Sequence, residues 1–266
     1  MSSLYDTLLK RNTVTGAFEA WAEYRKALTA FILECAQGDS CLIVGAGACN
    51  DIDTAQLAAR FSRVTLLDTD TAAMDRALER CPGNNITALR ADILGVFAER
   101  YRALDAEMTA GINAGQTGAW LTAAFLGRLD RMMAEARPDP LPMADTVICC
   151  GVHSQLLAMF ARMAAVYARY AAMDTQRIFE RISRQNAELQ PAFNTRLLKA
   201  ARATLITGLE TGRAGMPGGI EGASQALADL AARQLSGVQT ELLWPFDRAQ
   251  GKLYTVRAAA FETRGR

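Results

Sequence analysis

A single histidine, His153, is the whole supply of imidazole in this chain, and the six cysteines, at 35, 41, 49, 81, 149 and 150, contain no C-x-x-C pair. That ligand supply argues against a structural zinc site. Excess charge is missing too: 29 Lys+Arg stand against 28 Asp+Glu, a formal net charge of +1. No global field draws the chain to nucleic acid or to an anionic membrane, and neither partner is expected. Met1 to Asn12 carries no apolar run of signal-peptide length, and no uncharged apolar stretch reaches the roughly 18 residues of a membrane span. The chain therefore reads as cytoplasmic, its cysteines free thiols that behave as small buried hydrophobes. What is present is apolar material: 50% of 266 residues are hydrophobic and 21% charged, enough for a sizeable core.

Apolar residues at helical spacing from Phe18 to Cys35 predict an amphipathic helix, stopped by Gln37-Gly38-Asp39-Ser40. Short apolar runs at Cys41–Val44, Val64–Leu67, Ile86–Arg90 and Ala144–Cys150 read as buried parallel strands, with Ala203–Gly208 as a fifth. Helices are expected over Thr71 to Arg80, closed by Cys81-Pro82-Gly83, and over Glu221 to Leu235. Glu241–Trp244 and Leu253–Phe261 form a closing antiparallel pair around Asp247 to Gly251. Alternation of strands and helices implies βαβ units and a parallel sheet. The fold class is α/β: a Rossmann-like, doubly wound seven-stranded sheet with a terminal antiparallel hairpin and helical cap insertions. One domain is expected over 1–266, with 1–37 as an N-terminal helical lid and 38–266 as the core. Helical insertions fall near 94–142, broken around Gly111 to Gly118, and near 152–202, divided near Met173-Asp174 or Gln190-Pro191. Both are far longer than a crossover needs and are expected to cover the carboxyl ends of the strands.

The first βα turn reads Gly45-Ala46-Gly47-Ala48-Cys49-Asn50-Asp51. In a G-x-G-x-x-G dinucleotide fingerprint the third glycine would fall at Asn50, and Asp51 would set an anion where a pyrophosphate must approach, which disfavours a dinucleotide. A ligand with ribose hydroxyls and a cationic group, but no phosphate, suits the turn better. Asp68 lies 23 residues after Gly45, near the offset at which an acid ending the second strand accepts from a ribose diol. Asp70 is assigned to capping the next helix. Asp92, ending the third strand, is placed to accept from an exocyclic adenine amine, with Ile93 packed on the ring.

Together, the glycine turn, the acid after strand two and the acid after strand three resemble the class I S-adenosylmethionine-dependent methyltransferases, from about Cys41 to Phe261. That resemblance implies S-adenosylmethionine as cofactor, S-adenosylhomocysteine as product and methyl transfer to a small-molecule nucleophile. Gly45 and Gly47 would approach the methionine part, Asp68 the ribose, and Asp92 and Ile93 the adenine. Two departures stand beside the methionyl end. An acid usual two residues before the first glycine is Ile43 here, leaving Asp51 as the nearest negative charge, and a third glycine is replaced by Cys49. The alternatives are other chemistry of the same cofactor, aminocarboxypropyl transfer or cyclisation, and a non-catalytic binding protein.

His153 follows the fourth strand, at the edge where open α/β sheets bind ligands. It is either the base that takes the nucleophile's proton or, with Ser154, a cap on the next helix. Tyr5, Phe18, Trp21 and Tyr24 either enclose ligand or form core, as does Trp244-Pro245-Phe246-Asp247. Cys149 and Cys150 read as packed strand residues.

Overall fold

The computed structural model describes residues 3–10, 14–81, 83–216 and 220–263, so Pro82 and part of Met1 to Asn12 lie outside the described residues. Along the chain the elements run α1 (Leu4–Lys10), α2 (Ala17–Ala20), α3 (Ala22–Cys35), β1 (Ser40–Val44), α4 (Thr54–Arg60), β2 (Arg63–Asp68), α5 (Thr71–Arg80), β3 (Ile86–Arg90), α6 (Ala98–Asn113), α7 (Gly118–Ala134), β4 (Ala144–Cys150), α8 (Ala158–Tyr167), α9 (Thr175–Ala200), β5 (Ala201–Arg213), α10 (Ala223–Ala232), β6 (Gly237–Asp247) and β7 (Lys252–Glu262). They form two compact units. Residues 1–13, 92–139 and 155–188 make the first, and residues 14–91, 140–154 and 189–266 the second.

The second unit holds the whole sheet, in the order β3-β2-β1-β4-β5-β7-β6. β1 pairs in parallel with β2 and β4, and β5 joins β4 in parallel, whereas β7 runs antiparallel to both β5 and β6. The expected plan, with its terminal antiparallel hairpin, is the observed one. All five residues of β1 are buried, as a central parallel strand covered on both faces requires. On α3, Tyr24, Leu28, Phe31 and Ile32 fall on one buried face and join Ile43, Ile148, Ile206 and Val256 of the sheet in one apolar cluster. Burying such a side chain fully stabilises the fold by roughly 1.5–3 kcal/mol.

Differences from expectation have local causes. The helix expected from Phe18 to Cys35 is interrupted at Trp21, which leaves the helical region at φ −99° and ψ 12°. β5 extends past Gly208 to Arg213 because β7 continues to pair with it as far as Tyr254. β6 starts at Gly237, four residues earlier than the apolar run, because Gly237 to Thr240 pair with Ala258 to Phe261 of β7. β6 also carries Pro245, and its register with β7 shifts between Trp244 and Asp247. The last long insertion divides near Met173-Asp174, where Asp174 Oδ1 accepts from Arg177 N at the start of α9. Pro191 stays inside α9, its carbonyl taken by Thr195 Oγ1 and by Arg233.

In the first unit, α6 and α7 are divided over residues 114–117, and Tyr5 of α1 stacks on Tyr101 of α6, 5.0 Å between ring centroids. Among the described residues, no helix is long and apolar enough to cross a membrane. No group of three His, Cys, Asp or Glu residues among them is arranged to hold a metal ion.

Parallel pairing of β1 with β4 starts from one carboxylate. Asp145 Oδ2 accepts from Asp39 N, Ser40 N and Ser40 Oγ at 3.0, 3.0 and 2.7 Å, and Ser40's hydroxyl above all holds its pKa below the usual carboxylate range. Asp145→Ala is expected to lower the free energy of unfolding by about 1.5–3 kcal/mol, the range for hydrogen bonds to a charged group, measured by denaturant titration.

Candidate ligand site at the carboxyl edge of the sheet

The order of strand addition reverses between the parallel neighbours β1 and β4, which puts a crevice at their carboxyl ends. The turn after β1 is tied to β2: Gly45 N and Ala46 N both donate to Leu67 O, at 2.8 and 3.1 Å, and Gly47 N donates to Asp68 Oδ2 at 2.8 Å. Gly45 and Gly47 have φ of +71° and +49°, which glycine adopts without the penalty of a Cβ. They differ in surroundings. A Cβ on Gly45 would overlap Val152 after β4, whereas a Cβ on Gly47 would meet nothing within 4 Å. Gly45 therefore serves packing between two loops, and Gly47 leaves open space over its backbone.

Asp68, bonded to Gly47 N, is shared. Its Oδ1 accepts from Asp70 N at 2.9 Å, and Asp70 in turn caps α5 by accepting from Ala73 N. Each carboxylate oxygen keeps acceptor capacity beyond these bonds. Asp51 is half-buried in the same loop, and burial pushes its carboxyl up to about 6, against the pull of the Arg25 guanidinium. Ile43 is buried in the apolar cluster, so position 43 offers no acceptor. Cys49, where the family's glycine is absent, is nonetheless left-handed, with φ +47°, and fully packed.

Two arginines that sequence reasoning missed hold this loop from outside. Arg25 donates to Asn50 O at 2.9 Å, and Arg80 donates to Asn50 Oδ1 at 3.0 Å and to Ala48 O. Both guanidinium groups lie over the Phe18 ring, 3.8 and 4.2 Å from its centroid. An aromatic in α2 followed by basic residues seven and 62 positions later gives no local signal of this arrangement. Trp21 and Tyr24 belong to the core cluster together with Trp244. Cys149 and Cys150 are buried strand residues, and burial raises both thiols.

Asp92 and Ile93 open the segment that belongs to the other compact unit. Asp92 Oδ1 accepts from Leu94 N and Gly95 N at 2.9 and 2.8 Å, and its own N–H donates to Asp139 Oδ2 at 2.7 Å. Burial raises its pKa, and Asp139 adds to the rise. Ile93 is half-buried.

His153 is fully buried, in a single 3-10 turn from His153 to Gln155. Asn194 spends its amide nitrogen on Ala226 O and Asp229 Oδ2, so its oxygen faces the ring and His153 Nε2–H donates to it at 3.0 Å. The His153 carbonyl accepts from Gln190, and Phe193 packs edge-on to the ring at 5.1 Å. Ser154 donates to Glu210 rather than capping α8. The imidazole thus fastens the turn after β4 to α9, and burial lowers its pKa to about 4.

No family model matches the sequence, and neither does any curated protein. Solved structures do match. The N-methyltransferase NodS from Bradyrhizobium japonicum WM9, solved with S-adenosyl-L-homocysteine, is 14% identical, with 98% of each chain covered and a TM-score of 0.51. A SAM-dependent methyltransferase from Aquifex aeolicus is 10% identical over 95% of this chain and 97% of its own, with a TM-score of 0.43. An O-methyltransferase family protein from Burkholderia thailandensis is 9% identical over 90% of this chain and 57% of its own, also at 0.43. The fold is that of the class I S-adenosylmethionine-dependent methyltransferases.

The titration of His153 gives a stability signature. A histidine near 6.5 when unfolded and about 4 when folded takes up its proton first in the unfolded chain, so its contribution is complete above pH 6.5 and is lost as pH falls toward 4. The stability gap between the chain and His153→Ala should shrink by on the order of 3 kcal/mol from pH 7 to pH 4. Denaturant titrations of both proteins at each pH check this, and a pH-independent gap would contradict the buried neutral ring.

Proposed function

We propose that the chain binds S-adenosylmethionine at the turn after β1 and transfers its methyl group to a small-molecule nucleophile. The observation that carries this reading is the pairing of an open Gly47 backbone with the Asp68 carboxylate, at the switch point of a class I methyltransferase fold. The residues fit the cofactor. The absence of a Cβ at Gly47 leaves room for close approach, Asp68 keeps lone pairs for ribose hydroxyls, and Asp51 supplies an anion beside the turn for an ammonium group. Asp92 and Ile93 are assigned to the adenine, by analogy with the family pattern.

When bound, S-adenosylmethionine supplies a methyl group already made electrophilic by its sulfonium. This chain's residues have to orient the reactants, exclude water and accept a proton from the nucleophile. Arg25 and Arg80 hold the loop so that its shape exists before ligand arrives. The near-neutral total charge and the absence of a basic stretch in the sequence support a metabolite over a nucleic acid as acceptor.

Calorimetry with S-adenosylhomocysteine should show binding. Affinity should weaken roughly 10- to 150-fold in Asp68→Ala, the equivalent of about 1.5–3 kcal/mol for bonds to a charged group. Because Asp51 must be ionised to pair with an ammonium, affinity should rise with pH through about 6 and lose that dependence in Asp51→Asn. No heat and no thermal shift at millimolar ligand would overturn the reading. Release of methylthioadenosine in place of S-adenosylhomocysteine would replace methyl transfer with aminocarboxypropyl transfer.

The sequence-based assignment of His153 as base has its own measurement. A base there requires His153→Ala to lose roughly 100- to 10,000-fold in turnover at a temperature where the variant is folded. A ring that only fastens the turn after β4 to α9 predicts lower stability with turnover retained.

A further inference from the structure

β5 outruns its neighbour. Pairing with β4 ends at Cys150 and Gly208, and Glu210 stands two residues beyond, the one acid in the apolar run that begins at Ala203. It is 3% exposed. Its Oε1 accepts from Ser154 Oγ at 3.0 Å, and its Oε2 is buried with no hydrogen-bond partner among the described residues. Folded proteins rarely leave such an oxygen unsatisfied, and those that do commonly use it.

The surroundings indicate what is missing. The charge that bears on Glu210 is Asp51, of its own sign, and both carboxyls also act on the buried Tyr24. Trp244 stacks on Tyr24, 5.3 Å between centroids and 13° between planes. Gly151, at the end of β4 with φ +66°, keeps a side chain out of the corner. A Cβ there would lie 3.4 Å from Trp244 Cη2 and 3.8 Å from Glu210 Oε1. A carboxylate with a spare oxygen, a second anion nearby and two aromatic rings ask for a group that donates hydrogen bonds and carries positive charge. A hydroxyl brings one donor and no charge. A carboxylate would be repelled twice.

We propose that the methyl acceptor is an amine, held through its N–H groups by Glu210 Oε2 against the Trp244 and Tyr24 rings. This rests on the methyl-donor reading of the turn after β1. The bound ammonium first gives one proton to Glu210 Oε2, and as the nitrogen lone pair so freed forms the N–C bond, the carbon–sulfur bond breaks and leaves its electron pair on sulfur. The methylated nitrogen leaves as a cation, and Glu210 Oε2 returns its proton to water.

The test titrates the protein, saturated with S-adenosylhomocysteine, with n-butylammonium chloride and with n-butanol, two probes of equal length, followed by calorimetry. Butylammonium should bind at least tenfold more tightly than butanol. Glu210→Gln, which keeps the shape and the Ser154 contact, should remove that preference while S-adenosylhomocysteine affinity stays within about twofold. Equal binding of the two probes, binding of neither, or an unchanged preference in folded Glu210→Gln overturns the proposal. Should that variant not fold, the comparison of the two probes on the parent chain still decides. Failure to bind S-adenosylhomocysteine overturns the methyl-donor reading, and the amine assignment falls with it.

Discussion

The end of β2 holds the turn after β1 in place, and most of the candidate site depends on that tie. Leu67 contributes a carbonyl that takes two successive N–H groups, and Asp68 contributes a carboxylate that takes the third. These bonds exist because β1 and β2 are parallel neighbours in register, which brings both carboxyl ends to one edge. The same carboxylate reaches Asp70, whose side chain starts α5. Strand pairing, loop shape and helix initiation are thus one network, so the loop is shaped by bonds that the core already requires. A site prepared in this way loses little freedom when a ligand arrives.

Much of the fold was legible because burial leaves a periodic record. Thr71 to Arg80 and Ala144 to Cys150 appear with the bounds expected from their patterns, since a capped amphipathic helix and an apolar run ending at glycine carry their own start and stop signals. The far ends of β5 and β6 were illegible because Thr211 to Arg213 and Gly237 to Thr240 are mostly polar residues made extended by cross-strand pairing alone. In the site, the link between Gly47 and Asp68 follows a spacing rule that survives in one dimension. The Arg25, Arg80 and Phe18 group does not, because its members meet only after three elements have packed. Glu210 was hidden for a related reason: an acid inside an apolar strand reads as a strand residue until its neighbours are known.

Burial moves several titrating groups at this edge away from their ordinary ranges, the acids and the base in opposite directions. Asp51 and Glu210 are raised because their charged forms lose water, and His153 is lowered for the same reason with the opposite sign. A cation bound at this edge therefore restores to the carboxylates what solvent no longer supplies. An acidic pocket of this kind selects by charge compensation more than by shape.

Pro245 and the register shift beside it have a consequence outside the site. β6 is an outer strand of eleven residues, with Val238 and Leu243 exposed at 59% and 61%, a profile that invites another chain to extend the sheet. At Pro245 the free edge has no N–H to offer, and the neighbouring irregularity spoils the flat register that an added strand would need. A second copy laid antiparallel about Glu241 would also set that residue against its own like charge. The hairpin that completes the sheet therefore also interrupts the edge on which another strand would have to pair.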